Sequence, residues 1–249
     1  MNRAFPDSLQ FADHLITDSE SVRQEVIQNF DWPPERITAV PLGVDPIFHP
    51  RPDDELQALW PKYGLRAGGY TLCVGTIEPR KNIGRLLSAY EALPPRLRRR
   101  YPLVLIGARG WRSDLTHDRI DKAEAAGWLR YLACAPQADL PMLYAGARLF
   151  TYPSLYEGFG LPALEAMASG VPVITSSVSS LTEVVGDAAW LVNPLDTEGI
   201  STAFEQALQD DTWLQKASIH GQGRASLFTW SGCVTQTVAV YQAMLKRSA

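Results

Sequence analysis

Cysteine is scarce: Cys73, Cys134 and Cys233 are the only three in 249 residues. An odd number with no paired spacing excludes a disulfide framework and fits reduced thiols of a cytoplasmic protein. Histidine is almost as rare. His14, His49, His117 and His220 are scattered, and neither H-x-x-x-H nor C-x-x-C occurs. A structural or catalytic zinc is therefore not expected. Positive charge is also short. The net charge is −4 and no long basic stripe exists, which argues against a nucleic-acid binder. The one dense basic run, Arg96, Arg98, Arg99 and Arg100, reads as a solvated helix end. A patch facing an anionic membrane is the alternative. No apolar run reaches membrane-spanning length and no leader-like segment opens the chain. The expected location is cytoplasmic, with peripheral contact at the inner membrane face as an option. Internal repeats and low-complexity tracts are missing.

What is present is an alternation. With 46% hydrophobic residues, a sizeable core can form. From Tyr70 onward, short apolar runs ("YTLCVG", "PLVLIG", "WLRYLA", "RLFTYP", "VPVITS", "AAWLV") alternate with amphipathic helical segments such as "NIGRLLSAYEAL" and "LPALEAMASG". Near-continuous apolar strands joined by crossover helices predict an α/β fold. The expected architecture is a Rossmann-like, doubly wound parallel sheet of about six strands. Helices then dominate to the end. The first 48 residues read differently: an apolar run "HLIT", a helix that Asp18 or Ser19 could cap, a strand "RITAVPLGVD", then a linker with prolines at 46, 50 and 52.

Ligands of such sheets bind beyond the carboxyl ends of the strands. After "YTLCV" come Gly75, Thr76, Arg80, Lys81 and Asn82. Two cations at a helix start are electrostatically unfavourable unless an anion joins them, so an anion site outranks a solvated loop. After "RLFTYPS" comes "LYEGFGLPALEAM". Gly158 and Gly160 permit close backbone approach, and Pro162 suits a helix's first turn. Glu165 is expected in that first turn, and Glu157 before the bend. Either glutamate alone would be a solvated or dipole-satisfying acid. Both together, framing "GFG" at a strand end, indicate function. Cations and peptide N–H groups suit a diphosphate, and carboxylates suit sugar hydroxyls. A nucleotide-sugar makes both demands.

These segments resemble a known family. "EGFGLPALEAMASGVPVITS" resembles the E-x7-E signature of retaining glycosyltransferases of family 4, which have the GT-B fold. "GTIEPRKNIGRLLSAY" resembles the family's phosphate-binding segment, and "LITDSESVRQEVIQNF" and "ITAVPLGVDPIFHP" its passage between two domains. "LTEVVGDAAWLVNPLD" and "FTWSGCVTQTVAVYQAML" extend the likeness to the end of the chain. The resemblance implies that residues 1–48 are the end of an N-terminal acceptor domain with the interdomain passage. Residues 49–228 would be the nucleotide-sugar-binding domain, and 229–249 a helix packing back on the N-terminal part. It implies that Arg80 and Lys81 bind the donor diphosphate and stabilise the departing phosphate. Glu157 would contact the transferred sugar. Gly75, Thr76, Gly158, Phe159, Gly160 and Leu161 would line the substrate, and Glu165 would accept from the ribose. The loop after "WLRYL" would meet the base. Transfer would retain anomeric configuration without a metal or other cofactor. Many relatives place an arginine where this sequence has Thr76, so Arg80 is expected to supply that charge.

The implied partners are a nucleotide-sugar, with a lean to GDP-mannose, and a glycan or lipid-linked acceptor; no nucleic acid is expected. The "GT-x-EPRKN" style resembles bacterial polysaccharide and O-antigen enzymes. Two other readings stay open: a nucleotide-sugar-binding module without turnover of its own, and a GT-B epimerase or phosphorylase.

Overall fold

A computed structural model of the chain describes residues 9–57 and 59–248, so residues 1–8 of the expected N-terminal portion lie outside the described residues. Among the described residues, two parallel sheets form. The smaller pairs β1 (Leu15–Thr17) with β2 (Ile37–Ala39), and helix α1 (Glu20–Phe30) connects them. The expected strand "RITAVPLGVD" stops at Ala39, because Pro41 has no N–H to continue a ladder. Ser19 caps α1 by accepting from Val22 N at 3.2 Å, as anticipated. A small cluster of Leu9, Val26, Trp32 and Ile37 fills this unit.

The larger sheet has six parallel strands: β3 (Thr71–Val74), β4 (Leu103–Ile106), β5 (Leu129–Leu132), β6 (Leu149–Tyr152), β7 (Val173–Ser176) and β8 (Trp190–Val192). Their order is β5-β4-β3-β6-β7-β8, the doubly wound pattern expected from the sequence. The crossover helices are α2 (Ile83–Glu91), α3 (Pro95–Arg100), α4 (Asp114–Ala125), α5 (Leu140–Ala145), α6 (Leu161–Ala168) and α7 (Ser180–Val185). Three longer helices follow: α8 (Thr197–Gln209), α9 (Asp211–Ala225) and α10 (Trp230–Ser248).

Alternation along each strand sorts the core into two layers. Leu72, Val104, Ile106, Phe150 and Val173 face one layer, with α6, α7 and the buried Tyr144 of α5. Cys73, Leu103, Leu105, Leu149 and Ile174 face the other, with α2, α4 and α8. Burial pushes the Cys73 thiol up to about 12, so it stays protonated inside the core. Gly43, in the linker, passes so close to α10 that a Cβ there would lie 2.1 Å from Trp230 N. Val44 N donates to Phe228 O at 3.1 Å beside it. No described helix is long and apolar enough to cross a membrane.

Candidate functional site

The chain winds from β3 outward to β5, then returns to the centre with β6 and winds the other way. β3 and β6 are thus neighbours whose following loops diverge, which opens a crevice at their carboxyl ends. The sequence-predicted site residues come from those two loops, 75–82 and 153–161, except Glu165, which lies within α6.

The β3 loop is held in place by its neighbour. Gly75 N donates to Ile106 O at 2.8 Å, and Ile77 N to Ala108 O at 2.9 Å. Gly107 has φ +156°, and a Cβ there would lie 2.0 Å from Gly75 O. The exposed Thr76 packs its methyl toward Gly110. A 3-10 turn, Pro79–Lys81, follows, so Arg80 and Lys81 precede α2 rather than open it. Asn82 sits between them and the helix at φ +59°. Its amide donates to Pro153 O at 3.0 Å and Pro194 O at 2.7 Å, tying together the loops after β3, β6 and β8.

The anion that the two cations demand is internal. Glu157 is 6% exposed and both its oxygens are engaged: Lys81 Nζ lies 2.7 Å from Oε1 and Arg80 Nη1 2.7 Å from Oε2. Lys81, itself 8% exposed, also donates to the Tyr152 hydroxyl and lies over that ring. Arg80 further donates to Tyr156 O at 2.9 Å and pairs with Glu78 at 2.9 Å. Burial alone would raise the Glu157 carboxyl. The hydrogen bonds and charge of Lys81, with the hydrogen bond from Arg80, outweigh it and hold the group below the ordinary carboxylate range. Glu157 and Glu78 likewise overcome burial to keep the Arg80 guanidinium charged. The result is one buried anion between two cations, a cluster of net charge +1 before Glu78 is counted.

The "GFGL" bend then turns into α6. Gly160 is the N-cap residue at φ +107°, and a Cβ there would lie 2.7 Å from Leu181 Cδ2, so both backbone and space require glycine. Gly158 has open space on its Cβ side. Phe159 is buried with its ring edge-on to Phe228, so only its backbone can serve the crevice. Leu161 begins the helix and Pro162 is its second residue. First-turn N–H groups have no intrahelical acceptor, which leaves this end electropositive.

Glu165 departs from expectation. The helix starts at Leu161, as Pro162 suggested, but Glu165 is its fifth residue and so falls just past the first turn. Burial raises its carboxyl above the ordinary range; the Tyr144 hydroxyl counteracts this in part, and Asp45 adds to it. The expected loop after β5 is present as well, at residues 133–139.

Several residues of the site were not anticipated. Tyr152 ends β6 and receives Lys81; its only sequence signal is a phenol closing the buried strand "LFTY". Ser179 accepts from Glu157 N at 3.0 Å, at a strained φ of +53°. Ser180 donates to the carbonyls of Glu157 and Phe159 at 2.8 and 3.0 Å. The N-terminal unit also reaches the bend. Ser19 Oγ donates to Gly158 O at 2.7 Å, and the Tyr156 hydroxyl to Glu25 at 2.7 Å. Glu183 accepts from the first peptide N–H groups of α1, Glu20 and Ser21, at 3.0 and 3.1 Å. These contacts are carried by seryl hydroxyls and helix ends, which no spacing pattern reveals.

Known proteins resemble this chain in sequence and in fold. The O-antigen chain mannosyltransferase B of Escherichia coli is 46% identical over 97% of this chain, and the chain spans 64% of that protein's length. Among solved structures, sucrose-phosphate synthase from Thermosynechococcus elongatus superposes with a TM-score of 0.79 at 25% identity, covering 95% of this chain and 59% of that one. HepE of Anabaena in complex with UDP-glucose shares the fold with a TM-score of 0.81 at 20% identity, covering 94% and 64%. The family model for glycosyl transferases group 1 matches residues 66–224, from just before β3 to the end of α9. A match over more than half of the chain, on the six-stranded sheet that builds this crevice, makes it a member of the group 1 glycosyl transferases.

Proposed function

We propose that this chain is the donor-binding portion of a retaining, GT-B-type glycosyltransferase of family 4. It would move a hexose, mannose first, from a nucleotide-sugar to a glycan or lipid-linked acceptor in O-antigen-type polysaccharide synthesis. The observation that carries this reading is the meeting of Arg80, Lys81, Glu157 and the α6 N-terminus at the switch point between β3 and β6. The similarity to a protein named as an O-antigen mannosyltransferase supports the choice of sugar, and GDP-mannose is the donor this reading favours. Residues 1–48 belong in it to the end of an acceptor domain and its passage, 49–228 to donor binding, and 229–249 to a helix returning to the N-terminal part.

In the reaction, the bond from the anomeric carbon to the β-phosphate oxygen breaks, a bond to an acceptor hydroxyl oxygen forms, and the hydroxyl proton leaves with the departing phosphate. The departing nucleoside diphosphate gains negative charge. Lys81 and Arg80 meet that charge, together with the N–H groups at Gly160 and Leu161, which replace the role of a metal in this reading. Gly75, Thr76, Gly158 and the Phe159 backbone line the donor's path. Glu157 is ionised at neutral pH and so accepts from sugar hydroxyls. Glu165 accepts from the ribose. The location is cytoplasmic, with peripheral contact at the inner membrane face if the acceptor is lipid-linked.

Calorimetry tests the donor assignment. GDP-mannose should bind the unaltered chain and lose at least ~10-fold in affinity in Lys81→Ala and in Glu157→Ala. Unchanged binding in both variants, with the native melting profile kept, sinks the assignment. UDP-glucose and free GDP in parallel titrations decide the base and the sugar.

A further inference from the structure

We propose a second, separate site: a pocket for a phosphorylated carbohydrate, formed by Arg85, Arg112 and Arg119 beside α2. The three arginines line a cavity of about 430 Å³ that none of Lys81, Glu157 or Glu165 reaches.

Charge is the first argument. Arg85 spends one N–H on Asn82 Oδ1 at 2.7 Å, and Arg112 lies over the Trp111 ring. Neither meets a carboxylate among the described residues. Arg119 donates to Gly84 O at 2.7 Å and Ser88 Oγ at 3.0 Å, with Glu91 only at 3.9 Å. The one acid lining the cavity, Glu78, is already committed to Arg80 at 2.9 Å and to the Trp111 indole at 3.1 Å. Three guanidiniums around one concavity, with no free counter-charge, favour a ligand with several anionic oxygens.

The α2 N-terminus adds to this. Its first residues, Ile83 and Gly84, line the same cavity. The N-cap residue Asn82 makes no capping bond to a helix N–H; its Oδ1, the atom that would accept one, takes the Arg85 guanidinium instead. The helix end therefore keeps its partial positive charge toward the pocket.

The remaining lining chooses the ligand class. Ser88, Thr116 and Thr197 present hydroxyls, and the apolar lining is limited to Pro79 and Ile83. No aromatic ring lines the cavity, so a nucleobase has nothing on which to stack. The cavity is also larger than a lone phosphate. A sugar phosphate satisfies both halves, with the phosphate on the arginines and the hydroxyls on serine and threonine.

The test uses the full chain and three probes: a hexose 6-phosphate, inorganic phosphate and the unphosphorylated hexose. Calorimetry should show the sugar phosphate binding more tightly than inorganic phosphate, and the neutral hexose not binding. Arg85→Gln and the more exposed Arg112→Gln should each weaken the sugar phosphate at least ~10-fold. Lys81→Ala should leave it unchanged, which separates this pocket from the donor crevice. The proposal is overturned by no binding at about 10 mM probe, by equal affinity for inorganic phosphate, by full affinity in both natively melting arginine variants, or by loss in Lys81→Ala.

Discussion

Glu157 and Glu165 lie eight positions apart and respond to their surroundings in opposite directions. Glu157, between two cations, titrates below the ordinary range. Its ionised form stabilises the fold at every pH above the ordinary carboxylate range, and that contribution is lost as pH falls through the lowered value. Glu165 titrates above the ordinary range, chiefly from burial. Its native form holds a proton that the unfolded chain has already released, so its contribution falls as pH rises through the raised value and stays a penalty above it. Glu165→Gln should therefore raise the melting temperature of the ligand-free chain at neutral pH and narrow the gain at acid pH. The same variant should bind free nucleotide about 10-fold more weakly, since a neutral amide oxygen replaces the charged acceptor of the ribose hydroxyls. A thermal melt at two pH values and a nucleotide titration check both halves. A drop in melting temperature at neutral pH contradicts the charge argument, and unchanged nucleotide affinity contradicts the ribose role.

Among the elements, α1 and the "GFGL" bend are coupled. Ser19 caps the helix and at the same time donates to Gly158 O, while Glu183 receives the helix's first N–H groups. Ser19→Ala should cost about 1–2 kcal/mol by losing both bonds. Hydrogen exchange should then speed up in residues 156–160 as well as in α1; acceleration confined to α1 would show that the bend does not depend on it. The pairing of the two strand-exit loops gives a sharper case. Gly107→Ala places a methyl against Gly75 O in a backbone conformation that alanine avoids. It should destabilise the fold by at least ~2 kcal/mol in chemical denaturation. A loss within about 0.5 kcal/mol would mean the loops separate without cost.

Over the whole molecule, stability is unequally spread. The six-stranded sheet is covered on both faces, whereas the β1–β2 unit rests on a cluster of Leu9, Val26, Trp32 and Ile37. Amides of β1 and β2 should exchange faster than those of β3 and β6, and equal protection would show that the two sheets open as one unit. The same difference governs what could be read from the sequence. Strands such as "TLCV" and "LVLI" announce a two-sided buried sheet by composition alone, and Arg80, Lys81, Glu157 and the glycines of the bend fall at strand ends where ligands bind. Composition does not encode partnership. The pairing of Glu157 with Lys81 joins residues 76 positions apart. The roles of Ser19, Ser179 and Ser180 rest on hydroxyls whose residue type is common in any loop. The helix start at Leu161 is legible from Pro162, whereas the turn that holds Glu165 is misplaced by the sequence reading, since the fifth residue lies beyond a first turn of about 3.6 residues.

Asn82 carries a consequence for how this crevice can diversify. Its amide clasps Pro153 and Pro194 at fixed reach, so the lengths of chain from β6 to Pro153 and from β8 to Pro194 cannot change without releasing a loop. Beyond Pro153 the loop is held again, because Leu155 N donates to Arg80 O at 2.8 Å and Tyr156 O accepts from Arg80 at 2.9 Å. A lineage that retunes its ligand has very little room for inserted or deleted residues on the near side of either proline, and is left to change side chains instead.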